Sequence, residues 1–193
     1  MPSQDIIDEL DDYYGNWVAL VVKESDQYYD INKSLVKKLA NVRNMRGIYI
    51  TINKPFELVE NSFRKNDVKT DNIYFVDMIS RYMSKEPGLQ DNCSFIDSPA
   101  NLTMLAITFT QTAKMLQTLK GDRDQPIFIV VDSVNTFLVY NTENSVKKFF
   151  HFLVSKAREM GCKCVLLSSN VSDTYSLNRL LGDFSDRVIN YGK

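Results

Sequence analysis

Lys33 and Ser34 are adjacent, and they follow an apolar run and a polar loop, the arrangement in which chains commonly bind phosphate. The window Gln27–Ser34 (QYYDINKS) has the length of the phosphate-loop pattern G-x-x-x-x-G-K-[ST], but Gln27 and Asn32 stand where both glycines belong. A second set of candidates is acidic. Asp77, Asp97 and Asp132 each end an apolar run, and carboxylates gathered at one sheet edge could hold a divalent cation. Such a trio also marks phospho-acceptor domains, but those need a lysine on a late strand, where this chain has Ser168-Ser169-Asn170. Cys162 and Cys164 alternate onto one strand face and supply two ligands, too few for a zinc site. The lone histidine, His151, sits on the margin of a helix stripe as a packing or solvent-facing residue. No G-x-S-x-G, H-E-x-x-H or shared Cys–His motif occurs, so ordinary hydrolase and protease chemistry has no footing.

The elements that position these residues alternate between apolar runs and amphipathic helices. WVALVV (Trp17–Val22) reads as a strand buried on both faces. A polar loop, KESDQYYDIN, then leads into a helix with Leu35, Val36, Leu39, Ala40 and Val42 at helical spacing, ended by Gly47. Further strands are expected at GIYITI (Gly47–Ile52), NIYFVD (Asn72–Asp77), CSFID (Cys93–Asp97), IFIVVD (Ile127–Asp132), CKCVLLS (Cys162–Ser168) and Arg187–Tyr191. Helices are expected at Phe56–Lys65 behind Pro55, at Asn101–Lys120 capped by Ser98 or Asn101, at Asn144–Met160 stopped by Gly161, and at Thr174–Leu181. Ile79–Asn92 reads as a surface loop. Residues 1–15 form an acidic leader, with Ile6, Ile7 and Leu10 at helical spacing, and 16–193 form one domain. The alternation predicts an α/β, three-layer fold with a mostly parallel central sheet flanked by helices. Such sheets bind ligands beyond the carboxyl ends of their strands.

Composition narrows the function classes. The chain has 193 residues, enough to bury a full core, and a net charge of −1, so no basic excess points to nucleic acid. No apolar run approaches the ~18 residues a membrane span requires, and the acidic start is unlike a signal peptide. Three cysteines, an odd number, suit free thiols in a reducing compartment, and the expected location is the cytoplasm.

An apolar strand ending in Asp-Ser (IFIVVDSVNTFLVY), set well after a strand–loop–Lys-Ser–helix unit, resembles the RecA/KaiC-type P-loop ATPase core. RGIYITINKPFELV is similar to the second strand and following helix of KaiC-like archaeal proteins, and FIDSPANLTMLAITFTQTAKML to their connection into the helix before the Walker B strand. The resemblance runs from Trp17 to Tyr191 and implies a RecA-like core. It also implies that Lys33 would reach the β- and γ-phosphates, Ser34 a magnesium ion, and that Asp132 matches the Walker B aspartate. In working members the loop glycines let backbone N–H groups curl around phosphate, a freedom other residues lack. The family's catalytic glutamates follow the second strand, where this chain has Asn53-Lys54, and losing such a base typically costs ~10²–10⁴ in rate.

The expectation is therefore a non-catalytic RecA/KaiC-like domain, with no catalytic residue, no metal and no resident cofactor. It would regulate or scaffold through a protein partner, such as an active ATPase paralogue or a signalling component, or through self-association. The alternative is a sensor that binds ATP and magnesium weakly through the vestigial Lys33, Ser34 and Asp132; an active ATPase is a third reading. Aspartates that end buried strands also cap turns through their side chains, which makes a structural Asp132 an equal expectation.

Overall fold

The structure, a computed structural model, describes residues 10, 15–23, 28–83, 86–118, 125–170 and 174–191. Its strands are β1 (Val18–Lys23), β2 (Arg46–Thr51), β3 (Ile73–Asp77), β4 (Cys93–Phe95), β5 (Ile127–Val131), β6 (Lys163–Ser169) and β7 (Arg187–Tyr191). They form one sheet of order β4-β3-β2-β5-β6-β1-β7 in which every pairing is parallel. The helices are α1 (Tyr28–Lys37), continued by a π-type turn (Lys38–Val42), then α2 (Phe56–Lys65), α3 (Leu102–Thr118), the single turn α4 (Phe137–Tyr140), α5 (Glu143–Glu159) and α6 (Tyr175–Phe184).

Every residue of β1 and β5 is buried, because helices cover the sheet on both sides. Ile31, Leu35 and Val36 of α1 and Phe56, Val59 and Phe63 of α2 pack on one face, against Tyr49, Phe75 and Phe128. Residues of α3, α5 and α6, among them Leu105, Phe109, Phe150, Leu153, Leu177 and Leu181, pack on the other, against Ile48, Ile50, Ile129 and Leu166. Successive strand side chains alternate between the two cores, as the pleat requires. The result is the three-layer α/β architecture that the sequence implies, with a sheet that is wholly parallel.

Several local expectations are corrected. The stretch YYDIN is helix, not loop: α1 begins at Tyr28, because Ile31, Leu35 and Val36 together give the segment a buried face and nothing in it breaks a helix. Residues 24–27, which include Gln27, lie outside the described residues, as do Ile6 and Ile7, and of Tyr28–Asp30 only the helical backbone is described. Leu10 of the leader is helical and buried among Trp17, Ala19 and Val21. Gly47 does not end the first helix but lies within β2; the left-handed residue between them is Asn44, at φ 49°. Val42, placed on the buried stripe, is exposed, since the π-type turn rotates it outward. Asn101 caps α3 by accepting from Met104 N–H (3.0 Å), and Thr142 caps α5 by accepting from Ser145 N–H.

Gly47 has a packing role. It faces Phe128 across the β2–β5 ladder, and a Cβ there would lie 2.2 Å from the ring's Cζ. Phe128 is fully buried, so its ring has nowhere to swing. Gly47→Ala is expected to destabilise the fold by about 1–3 kcal/mol, and Phe128→Leu in the same chain to restore part of that loss. Urea denaturation of both single variants and the double would check it; additive losses would contradict the contact.

Candidate functional site

The carboxyl ends of β1, β2 and β5 meet at Asp132, the residue after β5. Its backbone N–H extends the ladder to Ile50 O (3.0 Å), and this fixes the carboxyl group over the end of β2. There it accepts from Thr51 Oγ1 (2.9 Å), Ile52 N–H (3.1 Å) and, at 3.5 Å, Asn53 N–H. Thr51 Oγ1 also lies 2.7 Å from the Lys54 carbonyl. A hydroxyl has one proton, so it donates to one oxygen at a time; when Asp132 is protonated the chain can run from Asp132 to Thr51 to Lys54 O.

Lys23, the last residue of β1, is the cation of this cluster, and sequence reasoning missed it. It is fully buried. Burial pulls its ammonium down to about 7, against the opposing pull of the Asp132 carboxylate. Burial likewise pushes Asp132 up to about 6, while the Thr51, Ile52 and Asn53 donors and the Lys23 charge favour its ionised form. The only signal in the sequence was a lysine closing a strand that is otherwise wholly apolar.

Lys33 and Asp132 are brought together: both line a cavity of about 40 Å3 between α1 and α2, with Asn32, Tyr49, Lys54 and Phe63. Asn32 bonds its amide to the Tyr49 hydroxyl, and its Oδ1 is buried with no partner among the described residues. The space suits ordered water. Ser34, on the next position of α1, is half-buried and not part of that lining.

The other candidates have separate duties. Asp77 is fully buried and accepts four hydrogen bonds, from Phe56 N–H, Ile79 N–H, Ser80 N–H and Ser80 Oγ. Asp97 is exposed and pairs with Arg81 at 2.7 Å. Among the described residues no three His, Cys, Asp or Glu side chains gather to hold a metal ion. Cys162 and Cys164 are buried, and burial pushes Cys162 up to about 11 and Cys164 higher still, which keeps both as inert thiols. His151 is exposed and lies edge-on to Phe184. Beyond β5 and β6, Ser168, Asn135 and Asn178 form a further polar network, in which Asn135 Oδ1 accepts from Ser168 Oγ (3.0 Å) and Ser169 N–H (2.7 Å). No helix among the described residues is long and apolar enough to cross a membrane.

No protein-family model matches the sequence, and no curated protein matches it. Solved structures do match its shape. A KaiC-like protein from the hyperthermophilic archaeon Pyrococcus horikoshii OT3 superposes with a TM-score of 0.64 at 11% identity, over 92% of this chain and 72% of its own. An uncharacterized protein from Pyrococcus horikoshii, solved in complex with an unknown peptide, superposes with a TM-score of 0.72 at 13% identity, over 96% of this chain and 82% of its own. At such identities the likeness is one of architecture alone, and the chain has the RecA/KaiC-type α/β fold.

Proposed function

We propose that this RecA/KaiC-like domain does not turn over nucleotide and works by contacting other proteins. The observation that carries the reading is the state of Asp132. Its carboxyl group is buried, accepts from Thr51 and the β2 backbone, and interacts electrostatically with Lys23, which supplies it with positive charge below about pH 7. Three further features support it. Lys33 and Ser34 are the sixth and seventh residues of α1, past the four whose N–H groups a helix leaves free for an anion. The cavity that Lys33 lines, about 40 Å3, is far below the ~300 Å3 at which small-molecule sites begin. Asn53, at the family's glutamate position, is no base, and its Oδ1 accepts from Thr136 Oγ1. These features of the described residues weigh against a magnesium-ATP site. That a protein of similar shape was solved with a peptide is in keeping with a fold that presents surfaces to other chains.

The competing reading, a weak nucleotide sensor, is favoured by one observation: Lys33 and Asp132 do share a cavity. Thermal unfolding separates the two. Magnesium-ATP is expected to leave the midpoint unchanged, and Lys33→Ala to behave like the parent. A ligand at 100 times its dissociation constant would add ~2.7 kcal/mol of stability, a shift of roughly 5–10 °C for a chain of this size. Such a shift in the parent that disappears in Lys33→Ala would hand the case to the sensor. Phosphate release abolished by Asp132→Ala would defeat both.

A further inference from the structure

The sheet ends at β4, and that edge is open. In a parallel ladder alternate residues turn their backbone groups to the same neighbour. Asn92 O accepts from Phe75 N–H (2.7 Å) and Ile96 N–H donates to Asp77 O (2.8 Å), so Asn92, Ser94 and Ile96 face β3. The N–H and C=O groups of Cys93 and Phe95 therefore point away from the sheet, and no hydrogen bond among the described residues takes them up. Exposed edges are usually guarded by lysine, proline or an inward-pointing charge. β4 reads CSF and has none of these, whereas β7, at the opposite edge, opens with Arg187. The charge of this edge lies at its ends. Asp91 precedes β4, exposed and without an ion-pair partner among the described residues, and Asp97 follows it, exposed and paired with Arg81. The Phe95 ring lies edge-on to Phe56 at 6.1 Å and is only partly buried, which leaves apolar surface for a neighbour.

We infer that the β4 edge takes up an extended segment of a partner protein as a further strand, one with a basic residue at each end. The segment's backbone pairs with Cys93 and Phe95. Every second side chain then lies beside Phe95 on the α2 side of the sheet, where an apolar residue fits. Lysine or arginine at the two ends meets Asp91 and Asp97, whichever way the segment runs. A second copy of the chain is the poorer occupant. Antiparallel pairing of two β4 edges that uses all the open groups matches Cys93 with Phe95 about Ser94, and the same register sets Asp91 opposite Asp97 at both ends. Like charges so placed oppose the pairing. The inference rests on the reading of this domain as one that acts through protein contacts and names the chemistry of the segment it receives.

The test is fluorescence anisotropy of the full chain with labelled peptides built on Lys-Thr-Val-Thr-Val-Thr-Lys, about seven residues and long enough to pass β4 and both aspartates. A counterpart carries glutamate at both ends, and two further versions are methylated on the backbone nitrogens of the valines or of the threonines. The lysine-ended peptide is expected to saturate and the glutamate-ended one not to, with binding that weakens as salt rises. A strand donates along one edge from alternate residues only, so one methylation pattern should weaken binding by at least about tenfold and the other should leave it. Docking through side chains alone would treat the two patterns alike. Asp91→Lys should shift preference toward the glutamate-ended peptide, a gain for one ligand that misfolding cannot imitate. No saturable binding of the lysine-ended peptide, equal loss from both methylation patterns, or a preference unmoved by Asp91→Lys overturns the inference. So does a dimer in light scattering that the lysine-ended peptide dissociates, which would make a second copy the occupant. A thermal shift with magnesium-ATP sinks the preceding reading without touching this one, and a chain silent to ATP and to every peptide does the reverse.

Discussion

Asp77→Ala is expected to cost the fold about 5 kcal/mol, a large share of the 5–15 kcal/mol by which such domains are stable. The carboxylate ends β3 and joins three pieces of chain. Oδ1 accepts from Ile79 N–H (2.7 Å) and Ser80 N–H (2.8 Å), which fixes the turn leaving the strand. Oδ2 accepts from Ser80 Oγ (2.6 Å) and from Phe56 N–H (2.6 Å), the first residue of α2, where a negative charge also suits the helix dipole. Alanine leaves these donors without an acceptor at a position with no exposed surface. Asp77→Asn keeps an acceptor oxygen but turns an NH2 toward other donors, so its loss should be intermediate. Ser80→Ala removes one of the four bonds and should cost about 1 kcal/mol. In urea, the midpoints should fall in the order parent, Ser80→Ala, Asp77→Asn, Asp77→Ala with a constant slope. A loss below about 1.5 kcal/mol for Asp77→Ala would mean that water replaces the carboxylate, and that the clasp does not hold α2.

The same residue shows how far the sequence could be read. IFIVVD and WVALVV were legible as central strands because burial on both faces leaves an uninterrupted apolar run, and β7 falls where the sequence places it. That Asp77 ends β3 and that Asp132 directly follows β5 was legible too, whereas β4 stops at Phe95, two residues short of the Asp97 expected to close it. Their division of labour was not, since it depends on which backbone N–H groups the crossovers deliver to each carboxylate, and those come from residues up to 81 positions away. The start of α1 is hidden in the sequence for a different reason. Tyrosine, aspartate and asparagine favour loops locally, and burial of Ile31, Leu35 and Val36 against the sheet overrides that preference. Gly47 reads as a helix stop because its reason for being glycine, the Phe128 ring, lies on a strand eighty residues later. Lys23 gives almost no signal: a lysine after the six apolar residues WVALVV reads as the first residue of a loop until β6 and β7 are seen to flank it.

The second large effect concerns Lys23 and Asp132 and appears in the pH dependence of stability. Lys23 titrates near 7 in the folded chain and near 10.4 when unfolded. Between those values the unfolded chain binds the extra proton, so stability rises with pH; the contribution is complete above about 10.4 and lost as pH falls through 7. Asp132 titrates near 6 when folded and near 3.9 when unfolded. Its contribution is complete below about 3.9 and lost as pH rises through 6. Both contributions are therefore smallest between pH 6 and 7, where Lys23 and Asp132 are together most often charged and their desolvation cost is greatest. The parent is expected to show a stability trough there, on the order of 4 kcal/mol deep against pH 10 and 2 kcal/mol against pH 4. Subtracting the urea-derived stability of Lys23→Met/Asp132→Asn at each pH isolates the pair from other titrating groups, because methionine fills the lysine's volume without a charge and asparagine keeps one acceptor for the Ile52 N–H. The double variant should lose the trough and gain stability near pH 6.5, while Lys23→Met alone should flatten only the alkaline limb. Profiles of parent and double variant that differ by a constant at every pH would show that neither group titrates between folded and unfolded states as its burial demands, and that the positive charge facing Asp132 is hydrated after all.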